Sequence, residues 1–122
     1  MELGRRGEEA ALDFLRKNGY RILKKNYKSG LGEVDIIAKD KDTFCFIEVK
    51  TRHSDKFGLP KESLLKSKQR QIAKSALVYL KENKLLDKEA RFDVVCLMYA
   101  QTGAPGIDLI KNAFELDDSF SY

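Results

Sequence analysis

The stretch FIEVKT, residues 46–51, places two opposite charges inside an otherwise apolar segment. Successive side chains of a strand point to opposite faces, so Glu48 and Lys50 share one face of the predicted strand. A charge beside a hydrophobic core costs free energy unless something compensates it. This strand is therefore expected to carry a salt bridge, a solvated pair of charges, or a metal ion with its substrate.

The length and composition of the chain predict one globular domain. With 122 residues, 43% of them hydrophobic, the chain is long enough and apolar enough to form a single core. We expect one domain over residues 1–122, in which residues 116–122 form a loose acidic tail.

The cysteine and histidine content argues against both a disulfide scaffold and a structural zinc site. Cys45 and Cys96 each stand alone in an apolar run, which predicts buried free thiols in a reducing compartment. His53 is the single histidine, and neither cysteine has metal-ligand spacing. No stretch approaches the roughly 18 apolar residues of a membrane span, so we expect a cytoplasmic protein without a membrane partner.

The net charge of +4 is modest, but the charges are unevenly distributed. Residues 1–30 contain eight Lys or Arg against four Asp or Glu, and residues 61–84 contain seven against two. Between them, residues 31–60 contain five basic and six acidic residues. This layout predicts a protein that holds a polyanion at its edges and a metal in the middle. Basic residues that merely solvate helix surfaces explain the same charges.

Hydrophobic periodicity predicts a mixed α/β domain. In the first helix Ala11, Leu12 and Leu15 follow Glu8 on one stripe. The order αβββαββ provides helices that flank a central mixed sheet. The predicted elements are a helix over 4–18, strands over 20–27, 33–39 and 43–51, a short helical turn up to residue 64, a long helix over 67–83, and strands over 91–99 and 107–115.

The second and third strands form a predicted hairpin whose register brings the charges together. With a loop at 40–43, Asp35 falls opposite Glu48, and Glu33 falls opposite Lys50. Opposed residues point to the same face with Cβ atoms roughly 4.5–5.5 Å apart. A slip of the register by one residue would send the two facing acids to opposite faces.

Such a cluster contains the groups needed for metal-assisted phosphodiester hydrolysis. Two carboxylates about 5 Å apart repel each other unless a cation or a proton lies between them. Their hard oxygen atoms favour Mg²⁺ or Mn²⁺. Lys50 beside them would orient a water molecule or neutralise charge on a phosphorus centre. The alternative is an ordinary ion pair of Glu33 with Lys50, with Asp35 and Glu48 in solvent.

Several segments together resemble a known family. GRRGEEAALDFL at residues 4–15, GEVDIIA at 32–38, FIEVKTR at 46–52 and RFDVV at 91–95 are similar to the bacterial UPF0102 family, also called the YraN family. The resemblance covers roughly residues 4–99. It implies a restriction-endonuclease-like fold of the PD-(D/E)xK type, similar to archaeal Holliday-junction resolvases. Val34 stands where that motif has its proline, and Glu33 is the family's glutamate in GEVD, a metal ligand or a neighbour of the ligands.

The resemblance also implies a role for each residue that matches the family's motif. Asp35 and Glu48 match the acids that bind the metal, and Lys50 matches the motif's lysine. The carbonyl of Val49 would be a further ligand. Glu8 matches the acid of the first helix that commonly completes the site, although an acid there also suits the helix macrodipole.

Five further residues are candidates for nucleic-acid contacts, and each of them is alternatively a plain surface residue. Backbone N–H groups and the macrodipole at the start of the long helix favour an anion. The candidates are Arg5 and Arg6 beside the first-helix acid, Arg52 after the FIEVKT motif, and Lys68 and Gln69 at the start of the long helix.

Together these observations favour a Mg²⁺- or Mn²⁺-dependent endonuclease that cuts DNA, with branched or junction DNA as a further expectation. By analogy with resolvases, two symmetric nicks would require a homodimer. Two alternatives stay open. One is a nucleic-acid-binding module without turnover, and the other is a protein-interaction adaptor built on a nuclease scaffold.

Overall fold

The computed structural model describes residues 3–53 and 65–115, with the backbone alone for residues 3–5. The predicted order αβββαββ is confirmed, and every boundary lies close to the predicted one except the end of the last strand. The predicted turn before residue 64 and the predicted tail at 116–122 lie outside the described residues. The elements are α1 Leu3–Lys17, β1 Tyr20–Lys28, β2 Glu33–Asp40, β3 Thr43–His53, α2 Lys66–Glu82, β4 Ala90–Tyr99 and β5 Gly106–Ile110.

The five strands form one mixed sheet in the order β1–β2–β3–β4–β5. The pairs β1–β2, β2–β3 and β4–β5 are antiparallel, whereas β3 and β4 are parallel. A parallel pair needs a crossover connection, and α2 lies in the connection between these two strands. The strand β3, which contains FIEVKT, is therefore the central strand of the sheet.

Each face of the sheet is covered by one helix. Alternate side chains of β3 point to opposite faces of the sheet. Phe44 and Phe46 pack with α2, whereas Cys45 and Ile47 pack with α1. Cys45 and Cys96 are buried free thiols, as predicted. Neither described helix is long and apolar enough to cross a membrane. The apolar face of α2 is buried and includes Ile72, Ala76, Tyr79 and Leu80.

The strand β5 ends before the predicted strand over 107–115 does. Asn112 has a φ of 54°, a left-handed conformation that interrupts a strand. Its backbone N–H donates a hydrogen bond to Asp93 at 2.9 Å. Two residues later Phe114 stacks on Phe92, with the ring centroids 4.6 Å apart. The chain leaves the ladder because these contacts turn it back onto β4.

A buried polar network lies toward the end of the sheet where the β2–β3 hairpin turns, and its residue Asp93 pairs with Ile47 of β3. Asp93 is only 1% exposed, and its carboxylate accepts a hydrogen bond from the Tyr20 hydroxyl at 3.0 Å. It also accepts two from Arg91, at 2.8 and 2.9 Å, and one from the backbone of Asn112. Arg91 further contacts Asp40 at 2.9 Å. The network joins β1, β2, β4 and the turn after β5.

Candidate active site

The hairpin of β2 and β3 has the predicted register. The pairing runs from Asp40 opposite Thr43 to Ile36 opposite Ile47. Beyond this point β2 remains paired with β1, and β3 remains paired with β4, but the two strands no longer pair with each other. The two central strands therefore separate at the point where FIEVKT carries its charges.

The carboxylate of Asp35 takes the place of the lost ladder contact. Its Oδ2 accepts a hydrogen bond from the N–H of Val49 at 2.8 Å. The N–H and C=O of one strand residue face the same neighbouring strand, so the carbonyl of Val49 also faces β2. A side-chain carboxylate and a backbone carbonyl thus face each other across the gap between the strands.

The carboxyl groups of Asp35 and Glu48 are close enough for each to influence the pKa of the other. Burial, followed by the charge of Asp35, raises the pKa of Glu48 to about 7, while Lys68 and Lys50 oppose this shift. Burial also raises the pKa of Asp35, against the hydrogen bond from Val49 and the charge of Lys68. A buried and a half-buried acid that raise each other's cost of ionisation favour a shared proton or a cation between them.

One oxygen of Glu48 is left without a donor. Its Oε1 lies 3.7 Å from the Nζ of Lys68. Its Oε2 is buried and meets no hydrogen-bond partner among the described residues. A buried polar atom without a partner costs about 1–3 kcal/mol, and a bound ion is one explanation for such an atom. The unpartnered oxygen therefore marks a position where a cation would be stabilised.

Glu8 of α1 belongs to the same group of charges. Burial raises the pKa of its carboxyl, and the charge of Asp35 raises it further. The side chain of Asn26 and the charge of Lys25 act in the opposite direction and lower its pKa. Sequence reasoning missed both β1 residues. The available sequence signal was an asparagine inside a predicted strand. Asn26 adopts a φ of 51°, a left-handed conformation that asparagine tolerates better than most residues.

A close approach of α1 to the end of β3 positions Glu8. A Cβ atom added at Gly7 would lie 2.5 Å from the Oγ1 of Thr51, a separation that real Cβ atoms do not adopt. Glycine at this position lets the helix backbone lie directly against the strand, so the next residue of α1 reaches the separated ends of β2 and β3.

Gly7→Ala is expected to destabilise the protein by about 1–2 kcal/mol, because the added methyl group overlaps Thr51. At an unobstructed helix position the same change would stabilise by up to about 1 kcal/mol. Urea unfolding measures the difference. In a Thr51→Ala background the substitution is expected to be neutral or stabilising. A gain in stability in the wild-type background would refute the close contact.

Glu33 and Lys50 do not form the cross-strand pair predicted from the register, because the ladder ends before it reaches them. Among the described residues Lys50 makes no ion pair. Its charge nevertheless lowers the pKa of Glu48. Glu33 is exposed, and its charge raises the pKa of Asp35 and Glu8. The ammonium group therefore lies near the buried acids without being held by the opposite strand.

The arginine candidates have different surroundings. The guanidinium of Arg6 lies over the ring of Tyr99, 5.3 Å from the centroid, at the end of β4. Arg52 belongs to β3 rather than to a loop, and its Nη1 donates to the carbonyl of Thr51 at 3.0 Å. The side chain of Arg5 lies outside the described residues.

Lys68 and Gln69 lie in the first turn of α2, as predicted. The helix begins at Lys66, after Leu65, without a side-chain cap. The backbone N–H of Gln69 donates to the carbonyl of Leu65 at 2.9 Å. Lys68 contacts Glu48. The sequence had suggested a phosphate contact for Lys68, so its contact with an acid of the candidate site is a new observation.

A cavity of about 330 Å³ lies beneath α2 at the other end of the molecule. Its lining is mostly apolar and includes Leu77, Leu80, Phe92 and Phe114, but none of the candidate residues. This cavity is therefore distinct from the group of acids at the end of the hairpin.

The acids at the end of the hairpin fit a hard divalent cation. Within the ranges 3–53 and 65–115, no three His, Cys, Asp or Glu side chains form a ready-made metal cage. Magnesium, however, is usually held by one or two carboxylates together with water and substrate phosphates. Asp35 and Glu48 supply the carboxylates, and Val49 supplies a carbonyl. This all-oxygen donor set and the unpartnered Glu48 oxygen suit Mg²⁺ or Mn²⁺.

Comparison with known proteins places the chain in a family. The family model described as "Uncharacterised protein family UPF0102" matches residues 7–97. Proteins named "UPF0102 protein" from Desulfosudis oleivorans and Syntrophus aciditrophicus are each 47% identical, over 93% and 95% of this chain and 90% and 91% of their own length. One from Caldicellulosiruptor saccharolyticus is 48% identical over 93% of this chain and 97% of its own length. The chain therefore belongs to the UPF0102 family.

Proposed function

We propose that this protein is a Mg²⁺- or Mn²⁺-dependent endonuclease that hydrolyses phosphodiester bonds in DNA. The observation that carries the proposal is the pair formed by half-buried Asp35 and buried Glu48 at the point where β2 and β3 separate. One oxygen of this pair has no donor in the described part of the chain. Acids with raised pKa values and an unpartnered buried oxygen mark a candidate functional site.

The residues of the site have distinct roles in the proposed reaction. Asp35, Glu48 and the carbonyl of Val49 would hold the ion, with Glu8 near them. When bound, the ion would polarise the phosphate and lower the pKa of a water molecule. The water would lose a proton to solvent and its oxygen would bond to phosphorus as the bond to the leaving oxygen breaks, and the leaving oxygen would take up a proton from solvent. Lys50 would neutralise the charge that grows on the phosphate oxygens.

Cations from four elements suit the charged backbone of the substrate. Arg6 on α1, Lys25 on β1, Arg52 on β3 and Lys68 on α2 all lie near the acids or at the same end of the sheet. Such side chains bind phosphates without regard to base sequence, and the binding weakens with salt. Branched DNA as the preferred substrate, and a homodimer that cuts it symmetrically, rest on analogy with resolvases.

Cleavage of a labelled four-way junction tests this function. With Mn²⁺ the purified protein is expected to cut the junction, and added chelator is expected to stop the reaction. Glu48→Ala is expected to reduce cleavage to the level seen with chelator, because it removes one carboxylate of the metal site. Glu89→Ala is the matched control, since Glu89 is an exposed acid at the other end of β3 and β4 from the candidate site. This variant should cut the junction as the wild type does.

Two outcomes would contradict the nuclease proposal. The first is cleavage that persists in Glu48→Ala or in the presence of chelator, which would indicate a contaminating or unrelated activity. The second is the absence of product from junction, duplex and single-stranded DNA, together with salt-sensitive binding that Asp35→Asn does not change. The second result would favour a binding module without turnover.

A further inference from the structure

The ion pair between Lys68 and Glu48 differs from an ordinary surface pair. The Glu48 side chain is 8% exposed, whereas the Lys68 side chain, which reaches it from the first turn of α2, is 33% exposed. The charge of Lys68 lowers the pKa of both Glu48 and Asp35. One ammonium group thus stabilises the negative charge of both acids in the metal-free protein.

The contact is also loosely made. The Nζ–Oε1 distance of 3.7 Å exceeds the roughly 2.7–2.9 Å of a charge-assisted hydrogen bond. The other oxygen of Glu48 has no donor among the described residues, so no hydrogen bond from that part of the chain reinforces the pair. The Asp93 network differs in both respects, since its carboxylate accepts four hydrogen bonds of 2.8–3.0 Å. The ammonium group is therefore held by charge rather than by a short hydrogen bond.

We propose that Lys68 is a positioning residue whose ammonium group stands in for the divalent cation and must move away when the metal binds. A divalent ion beside Glu48 and an ammonium group about 4 Å away would repel each other strongly. Displacement releases Lys68 at the rim of the site, where its charge faces an incoming phosphate. This inference rests on the proposed metal site, and it adds competition between a side chain and the ion.

Titration of the full-length protein with Mn²⁺ in the absence of DNA tests the competition. The free-ion signal in electron paramagnetic resonance gives the affinity directly. Lys68→Gln is expected to bind Mn²⁺ about tenfold more tightly than the wild type, because the competing charge is gone. Lys68→Arg keeps that charge and should bind no more tightly than the wild type. Lys74→Gln removes an exposed charge from the same helix and should leave the affinity within about twofold.

Equal or weaker Mn²⁺ binding by Lys68→Gln would overturn the inference, as would the absence of binding in every variant. Circular dichroism of each variant establishes that the fold is retained. Because the measurement contains no DNA, it separates the two proposals. Lys68-dependent Mn²⁺ binding by a protein that cuts no DNA would refute the nuclease and keep the competition. Cleavage of DNA by the protein, together with an unchanged Mn²⁺ affinity in Lys68→Gln, would keep the nuclease and refute the competition.

Discussion

Glu48→Gln is expected to stabilise the metal-free protein above neutral pH by up to about 3 kcal/mol and at the same time to abolish the proposed cleavage. Burial and the charge of Asp35 raise the pKa of Glu48 from 4.5 to about 7. Between these values the folded protein keeps a proton that the unfolded chain has released. The free energy of unfolding therefore falls as the pH rises from 4.5 to about 7, and this loss persists at higher pH.

The glutamine variant avoids this loss because its side chain carries no charge at any pH. Urea unfolding with chelator present, at about pH 5 and about pH 8, measures the effect through the change in unfolding free energy. The wild type should lose more stability between the two pH values than the variant does. Asp35, whose pKa is also raised, contributes in the same direction in both proteins. Glu89→Gln, at an exposed position, should follow the wild type.

The unfolding free energies of the wild type and Glu48→Gln could instead change by the same amount between the two pH values. That result would show that ionisation of Glu48 is not costly in the folded protein, and the case for a cation site would weaken. The expected result instead links stability and function at one residue. A carboxylate that destabilises the metal-free fold is retained where its charge is needed for ligand binding, which is a recurrent trade-off in active sites.

Asp93→Ala is expected to lower the free energy of unfolding by about 3–5 kcal/mol, the range typical when one partner of a buried ion pair is removed. Asp93 is buried, and the substitution leaves the Arg91 guanidinium with Asp40 as its remaining acidic partner. The hydroxyl of Tyr20 loses its acceptor as well. Loss of the contact with Asn112 should loosen the turn that follows β5.

Urea or thermal unfolding measures this effect, with Asp87→Ala as the matched control. Asp87 is exposed between α2 and β4, and its replacement should change the stability by no more than about 0.5 kcal/mol. A loss below about 1 kcal/mol for Asp93→Ala would contradict the network as a main stabilising element of the fold.

The hairpin register could be predicted from the sequence because it depends on local features. Apolar alternation in β3 assigns Phe44 and Phe46 to one face, and a tight connection between β2 and β3 sets which residues oppose each other. The same reasoning failed at the end of the hairpin, where it extended the ladder as far as Glu33 and Lys50. Nothing local in the sequence indicates that β2 and β3 separate after Ile36.

By itself, the sequence determined the αβββαββ order, the central hairpin and the acids that face one another on it, because side-chain period and turn length act over a few residues. Only the tertiary structure decided which cation meets those acids. Lys68 reaches Glu48 from α2, and Asn26 of β1 influences the pKa of Glu8 on α1. These contacts join residues far apart in the chain, so they depend on how α1 and α2 pack against opposite faces of the sheet.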